Sequence, residues 1–274
     1  FDSISADILV RTGRLIVDRM LLFDGADGPG GTSVVLGSPD PAGVWVFASS
    51  APSGVTDAIV IHNPSTELEA KVAVEITLDL AEFNGTVEPV EVTIRPGRTE
   101  TVVLGGAAEL ASPSGVVDAS GRLLPDIGYW VAVRSFNGVD VVADHFTIDS
   151  SSEPVATSAS PGASVAATSH VLSIAEAVGE VVLVNPAIDR IAVLEMGVFV
   201  EGQAFVLAPA EVAPGSRLVL DLAALGVPPN SLLTIDSTEP VLGERRVSVG
   251  GGGSTTARLI PIASTTSVPV LPLS

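Results

Sequence analysis

No cysteine occurs among the 274 residues. That excludes disulfides, thiolate catalysis and Cys-ligated zinc, and it says little about compartment. Basic side chains are also scarce. Thirteen Lys and Arg stand against 32 Asp and Glu, for a net charge of −19, and Lys71 is the one lysine. A nucleic-acid binder needs a basic stripe that displaces counterions, and this chain has none. An anionic bilayer surface would repel it, whereas divalent cations stay open on charge alone. No run of 18 apolar residues occurs, so nothing here spans a bilayer as a helix. The chain begins at Phe1 without a Met. It is expected to be processed or truncated, with any signal peptide or anchor outside it.

Aromatic residues make up only 4%, while hydrophobic residues reach 46%. The cores must therefore be built from Val, Leu, Ile and Ala, and Val and Ile suit pleated, half-buried surfaces. The 27 Gly and 20 Pro punctuate the chain often, as expected for many short strands rather than long helices. The length suits two β domains.

The chain repeats. Asn63-Pro64 recurs at Asn185-Pro186, a shift of 185 − 63 = 122, and Ser38-Pro39 recurs at Ser160-Pro161 with the same shift. Pro96-Gly97 recurs at Pro214-Gly215, a shift of 118. Val72, Val74, Ile76 and Leu78 follow Asn63 at the same offsets as Leu194, Met196, Val198 and Val200 follow Asn185. That period-2 pattern marks an antiparallel strand with one face on a core. In the first copy the other face is polar: Lys71, Ala73, Glu75, Thr77, Asp79. In the second it carries Ile191, Val193 and Phe199, so that strand is expected to be covered on both sides or to lie at an interface. Three segments, 10–19, 133–145 and 235–245, each read as strand, turn, strand. Each ends in an acidic then a basic residue: Asp18-Arg19, Asp144-His145 and Glu244-Arg245. The first is either the tail of an earlier unit or an extra pair of strands on the first body.

Asn and Pro are both disfavoured inside strands, and the residue before Pro is held extended. "NP" thus reads as a strand terminator, with a ligand-contacting Asn63 and Asn185 as the alternative. Strands are expected near 44–49, 56–62, 70–80, 87–95, 98–104, 128–135 and 139–148. In the second body they fall near 167–174, 180–184, 190–200, 203–213, 216–222, 231–236 and 240–249. Asn84-Gly85 marks a hairpin turn, and helical turns are expected near 106–111 and 221–226. This spacing predicts an all-β chain of two tandem immunoglobulin-like β-sandwiches with an extra N-terminal hairpin. The divisions are 1–42 (hairpin and connector), 43–149 (first sandwich), 150–166 (linker or edge strand), 167–262 (second sandwich) and 263–274 (tail).

Catalytic motifs are missing. His62, His145 and His170 fall in separate strands without metal-ligand spacing. His145 stands where Arg19 and Arg245 stand, so an exposed polar role suffices for it. No G-x-S-x-G or S-x-x-K occurs. The glycine runs at 25–31 and 249–255 do not fit a phosphate loop and read as turns. Asp24 and Asp27 offer oxygens to calcium, but a site takes six to eight. Glu67/Glu69 and Asp118/Asp126 lie in loops without an aromatic cluster. No cofactor, metal ligand or catalytic residue is implied. Trp45 and Trp130, with Tyr129, are the rare large side chains. Both tryptophans are expected in the core, with a sugar-stacking platform as the alternative, and Ala167 stands where Trp45 would recur. The ligand-contact candidates are thus Trp45, Trp130, Tyr129, Asn63 and Asn185.

"VDRMLLF…GGTSVVLGSPDPAGVWVFAS", "AIVIHNPSTELEAKVAV" and "VTIRPGRTETVVL" together resemble tandem β-rich repeats of exported actinobacterial proteins, the family known as domain of unknown function 5719. The similarity runs from about residue 10 to 262, and the second copy departs from it at "GGTS" and "WVFA". The resemblance implies an exported, membrane-anchored envelope protein and brings no catalytic residues with it. The leading expectation is a non-catalytic, extracytoplasmic structural or interaction module of the cell envelope. Its partner would be an envelope protein or glycan, and one version of the role is an accessory to envelope polysaccharide assembly. One alternative is a carbohydrate-binding module using Trp45, Trp130 and the 106–128 loop; exposed, coplanar rings would support it. Another is a hydrolase with a dispersed triad, which needs a Ser and an acid within reach of one histidine.

Overall fold

The computed structural model describes residues 5–24, 30–38, 40–50, 55–79, 88–105, 128–149, 156–175, 179–249, 253–262 and 268–269. Among them there is no helix, and every ladder is antiparallel. The Asn84-Gly85 turn, Asp27, Asp118, Asp126 and the 106–111 helical turn lie outside the described residues.

A short hairpin comes first, β1 (Asp18–Asp24) against β2 (Gly30–Leu36). The first sandwich follows. Its sheet I has the order β3 (Val44–Phe47), β8 (Tyr129–Ser135), β5 (Ala70–Leu78), β6 (Val90–Ile94). Sheet II runs β10 (Ala156–Pro161), β9 (Val142–Asp149), β4 (Thr56–His62), β7 (Thr99–Gly105). Alternate residues of each strand point inward. Trp45, Phe47, Ile59, Ile61, Val72, Val74, Val102, Val131 and Val133 fill the space between the sheets. β10 is the ordered edge strand expected within 150–166.

The second sandwich repeats the plan with one change. β11 (Val165–Ile174), β13 (Ala192–Val200), β14 (Gln203–Val206) and β15 (Ala210–Val212) form sheet III with the first half of β17 (Ser231–Val249). β12 (Glu180–Val184), β16 (Arg217–Asp221) and β18 (Gly253–Arg258) form sheet IV with its second half. One 19-residue strand thus serves both sheets. Short β19 (Ile260–Pro261) and β20 (Val268–Pro269) lie along β11. The expected strand 203–213 is split because Pro209 cannot donate to a ladder. The expected helical turn at 221–226 is present, with Leu225 N–H on Asp221 O.

The strand–turn–strand reading of 133–145 holds, β8 and β9 being joined at 136–141 without pairing as a hairpin, while that of 235–245 is corrected. β8 and β9 sit in different sheets, and 235–245 is continuous strand. Both segments carry the chain around the edge of a core, from one sheet to the other. The N-terminal hairpin spans 18–36 rather than 10–19.

A third core joins the sandwiches. Val46, Ala48, Trp130 and Ala132 on the outer face of sheet I pack on Val182, Val184 and Leu242 on the outer face of sheet IV. Burying each large side chain contributes roughly 1.5–3 kcal/mol. β3 and β8 of sheet I are therefore buried on both faces.

The repeated Asn-Pro and Pro-Gly pairs prove to be one device. The Asn63 side chain is fully buried. Its Nδ2 donates to Leu68 O at 2.8 Å and Ile94 O at 2.9 Å, and its Oδ1 accepts from Ser65 N–H at 3.0 Å. Asn185 does the same with Arg190 O, Val212 O and Ala187 N–H. Gly97 (φ 63°) and Gly215 (φ 62°) turn left-handed and donate back, to Asn63 O and Ser65 O in one copy and to Ala187 O in the other. Each Asn thus terminates one strand and ties to it a second strand and the loop that leads into the next. Asn63→Ala should cost about 2–5 kcal/mol by orphaning these groups. Asn63→Asp would aim a carboxylate at two carbonyls, raising the pKa of the new group in the fold. A raised folded pKa means stability is recovered as pH falls. Urea unfolding at pH 7 and pH 5 should show Asn63→Asp below Asn63→Ala at pH 7, with the gap closing at pH 5.

Candidate functional site

Titratable groups gather where the two sandwiches meet. Asp57 opens β4, Tyr129 opens β8, His145 lies in β9 and Glu244 in β17, and all four are buried. The Tyr129 hydroxyl donates to Asp57 Oδ2, and His145 Nε2 bonds Asp57 Oδ1. Glu244 reaches across from the second sandwich, where its Oε2 accepts the Ser49 N–H at 3.0 Å. Phe47 meets the His145 ring edge-on at 5.7 Å.

Two arginines close the rim. Arg217 Nε donates to Asp79 Oδ2 at 2.7 Å, and its Nη1 donates to Ala48 O and Ser50 Oγ. A Cβ on Gly128 would lie 1.8 Å from Arg217 Nη2 and 2.3 Å from Asp79 Oδ2, so a side chain there would displace the Arg217–Asp79 pair. Arg246 pairs with Glu180 and donates from Nη1 to Ser50 O at 2.9 Å.

The electrostatics follow from burial and pairing. Burial, then the Asp57 carboxylate, push the Tyr129 phenol well above its ordinary value of 10. Burial pulls His145 down, but the Asp57 and Glu244 carboxylates outweigh it, so the pKa rises above 6.5. Burial raises Glu244 above 4.5 against the opposing pull of His145 and Ser49. Among the described residues Glu244 Oε1 has no hydrogen-bond partner, which favours the neutral form. An acid–histidine pair of this kind can hold a proton and orient an imidazole. Ser160 lies opposite His145 in the ladder, but its Oγ makes no hydrogen bond, so no Ser–His link is formed there. Among the described residues no three His, Asp or Glu side chains are placed to hold a metal ion.

The exposed role expected for His145 is overturned: His145 is buried and bonded to Asp57. Its chain position matched the arginines, but the carboxylate that holds it lies 88 residues away, so no local spacing could signal it. His62 is half-buried, against Thr99 Oγ1 at 3.1 Å and Asp7 at 3.6 Å. His170 is buried with Nε2 3.1 Å from both Ala167 O and Val241 O. Carbonyls only accept, so Nε2 carries the proton, and burial lowers its pKa. Trp45 Nε1 donates to Val141 O at 2.7 Å, and Trp45 and His170 oppose matching residues, Val133 and Ile235. His170, not Ala167, is thus the counterpart of Trp45, and the offset there is 170 − 45 = 125.

The candidates for ligand contact do not converge. Trp45 is 1% exposed in the first core and Trp130 is 2% exposed in the joint, its Nε1 on Gly215 O. Neither ring offers a face to solvent. Tyr129 bonds Asp57, and Asn63 and Asn185 spend their hydrogen bonds internally.

No protein-family model and no curated protein matches the chain. Among solved structures, the crystal structure of Thermotoga maritima 1070 is similar at 19% identity and a TM-score of 0.33, covering 45% of this chain and 95% of that one. The Pseudomonas aeruginosa CupB2 chaperone is similar at 9% identity and a TM-score of 0.17, over 74% and 92%. These likenesses are too distant to carry a functional argument.

The folded protein holds the His145 proton more tightly than the unfolded chain does. That stability is complete below pH 6.5 and is lost as pH rises through the folded pKa. His145→Gln keeps a donor for Asp57 but cannot titrate. Melting temperatures from pH 6 to 9 should therefore fall less steeply for His145→Gln than for the native chain.

Proposed function

We propose that this chain is a non-catalytic structural and interaction module of an extracytoplasmic, cell-envelope protein of the family known as domain of unknown function 5719. The observation that supports this reading is how the chain uses its chemistry-bearing side chains. Asp57, Tyr129, His145 and Glu244 are packed into the joint between two sandwiches, with the third core beside them. Groups so placed fix one domain against the other and do not meet a substrate from solvent. The net charge of −19 favours a soluble, self-repelling surface, and the repeat motifs resemble that envelope family. The partner would be an envelope protein or glycan, and an accessory role in envelope polysaccharide assembly fits a rigid two-domain spacer.

The test is affinity capture with the immobilised chain from solubilised actinobacterial envelope and from cytosol, alongside assays on ester, peptide and glycoside substrates. One envelope component should be retained, no cytosolic one, and no substrate turned over. Turnover that His145→Gln abolishes would sink the reading, as would retention of cytosolic components alone.

A further inference from the structure

Glu244 belongs to the second sandwich, yet its carboxyl group is spent on the first. It is 1% exposed, and its Oε2 accepts the N–H of Ser49, just past β3, at 3.0 Å. Its Oε1 has no partner among the described residues, and the buried hydroxyls of Ser49 and Ser160 have none either. Ser160 faces His145 across the β9–β10 ladder. His145 in turn lies close enough to Glu244 that each shifts the other's pKa. A carboxylate with one oxygen unmet is costly to keep charged away from water.

The charges around Glu244 constrain it further. From the first sandwich, β4 presents Asp57, β8 Tyr129 and β9 His145, and Asp79 follows β5 at the rim. Asp144, next to His145 on β9, pairs with Arg19 instead. From the second sandwich, β16 presents Arg217, β12 Glu180 and β17 Arg246. Arg258 of β18 stands opposite Glu244 in the ladder, and Arg245 reaches Ser173 O. β3 and β10 bring no titratable side chain. The acids Asp57, Asp79, Glu180 and Glu244 match the bases Arg217, Arg246, Arg258 and His145 only while His145 keeps its proton. Once that proton is lost, one carboxyl group must take one up or reach water. Asp79 keeps Arg217, Glu180 keeps Arg246, and Asp57 keeps the Tyr129 hydroxyl. Glu244, with its unmet oxygen, is the group that gives.

The fold allows it to leave. Each sandwich has its own core, and the chain passes from one to the other once, through 162–164 between β10 and β11. The second can turn away from the first without either core being opened. What they share is the third core, which includes Trp130, and the bonds of Glu244, Arg217 and Arg246 to residues 48–50.

We propose that Glu244 is a proton-operated latch between the two sandwiches, docked in the first at low pH and withdrawn to water as the pH rises, so that the joint opens. The raised pKa of Glu244 and that of His145 agree with this direction. The docked joint holds a proton that the open one releases. Docking is therefore complete below the ordinary histidine value of 6.5 and is lost as the pH climbs above it. One proton per opening means that the open fraction grows by up to about tenfold per pH unit. This inference does not depend on the envelope reading.

Trp45→Phe leaves Trp130 as the sole tryptophan, and acrylamide quenching of its fluorescence from pH 6 to 9 reads the joint. Quenching should rise with pH while far-ultraviolet circular dichroism stays constant. Glu244→Gln still accepts the Ser49 N–H but cannot ionise, so its quenching should stay low throughout. Glu180→Gln leaves Glu244 able to titrate and should keep the rise. Hydrogen exchange of the Ser49 amide in the native chain, corrected for its intrinsic pH dependence, should accelerate over the same interval. That measurement carries the test if Trp45→Phe fails to fold. Quenching and Ser49 exchange that stay flat to pH 9 overturn the proposal. So does a rise that Glu244→Gln retains, or one that coincides with loss of the β signal, because then the fold and not the joint has opened.

Discussion

Two strands of sheet I, β3 and β8, bury both of their faces, and the rest of the architecture depends on that. A sandwich needs one apolar face per strand; these two supply both. Trp45, Phe47, Val131 and Val133 serve the first core, while Val46, Ala48, Trp130 and Ala132 serve the joint. Adjacent residues of one strand point to opposite sides, so a run of consecutive apolar residues such as 129–133 is what a doubly covered strand requires. Once that second face is covered, the polar groups around it lose water. Asp57, His145, Tyr129 and Glu244 must then find one another, because a buried charge without a partner costs far more than a paired one.

Much of the fold was legible because the signals were local. Alternating aliphatics located β5 and β13, and "NP" located the ends of β4 and β12. The pairing of Asn63 with Ile94 O was not legible, since it spans 31 residues and depends on which strand lies beside which. The sheet-switching of β17 was missed for a related reason. A turn signal such as Asn137-Gly138 reads the same whether the chain folds back on itself or steps to another sheet. Trp45 and His170 were not recognisable as counterparts, because a three-residue slip between copies separates them and their rings share only an N–H. The site was the least legible part. Asp57, Tyr129, His145 and Glu244 come from four strands, three in the first sandwich and one in the second, and no spacing along the chain encodes that meeting.

The repeats have diverged where they touch. Asp57 corresponds to Gly179 by the 122-residue shift, and Gly179 has φ 72° with no room for a side chain. His145 corresponds to Arg245. The buried Asp57–His145 pair of the first sandwich is therefore not repeated at Gly179 and Arg245 of the second, although their cores are built alike. Divergence at a joint between copies is what a duplicated unit needs to distinguish an inner contact from an end.

The unbroken β17 has a mechanical consequence. In the first sandwich, tension on β9 reaches β8 through the corner at 136–141. In the second, one unbroken strand runs from sheet III into sheet IV. A load pulling along it would be resisted by the ladders to β11, β12, β13 and β18 in shear, all at once, and not opened rung by rung. In the second sandwich, then, a pull reaches both sheets through one backbone, whereas in the first it must pass a corner between two strands.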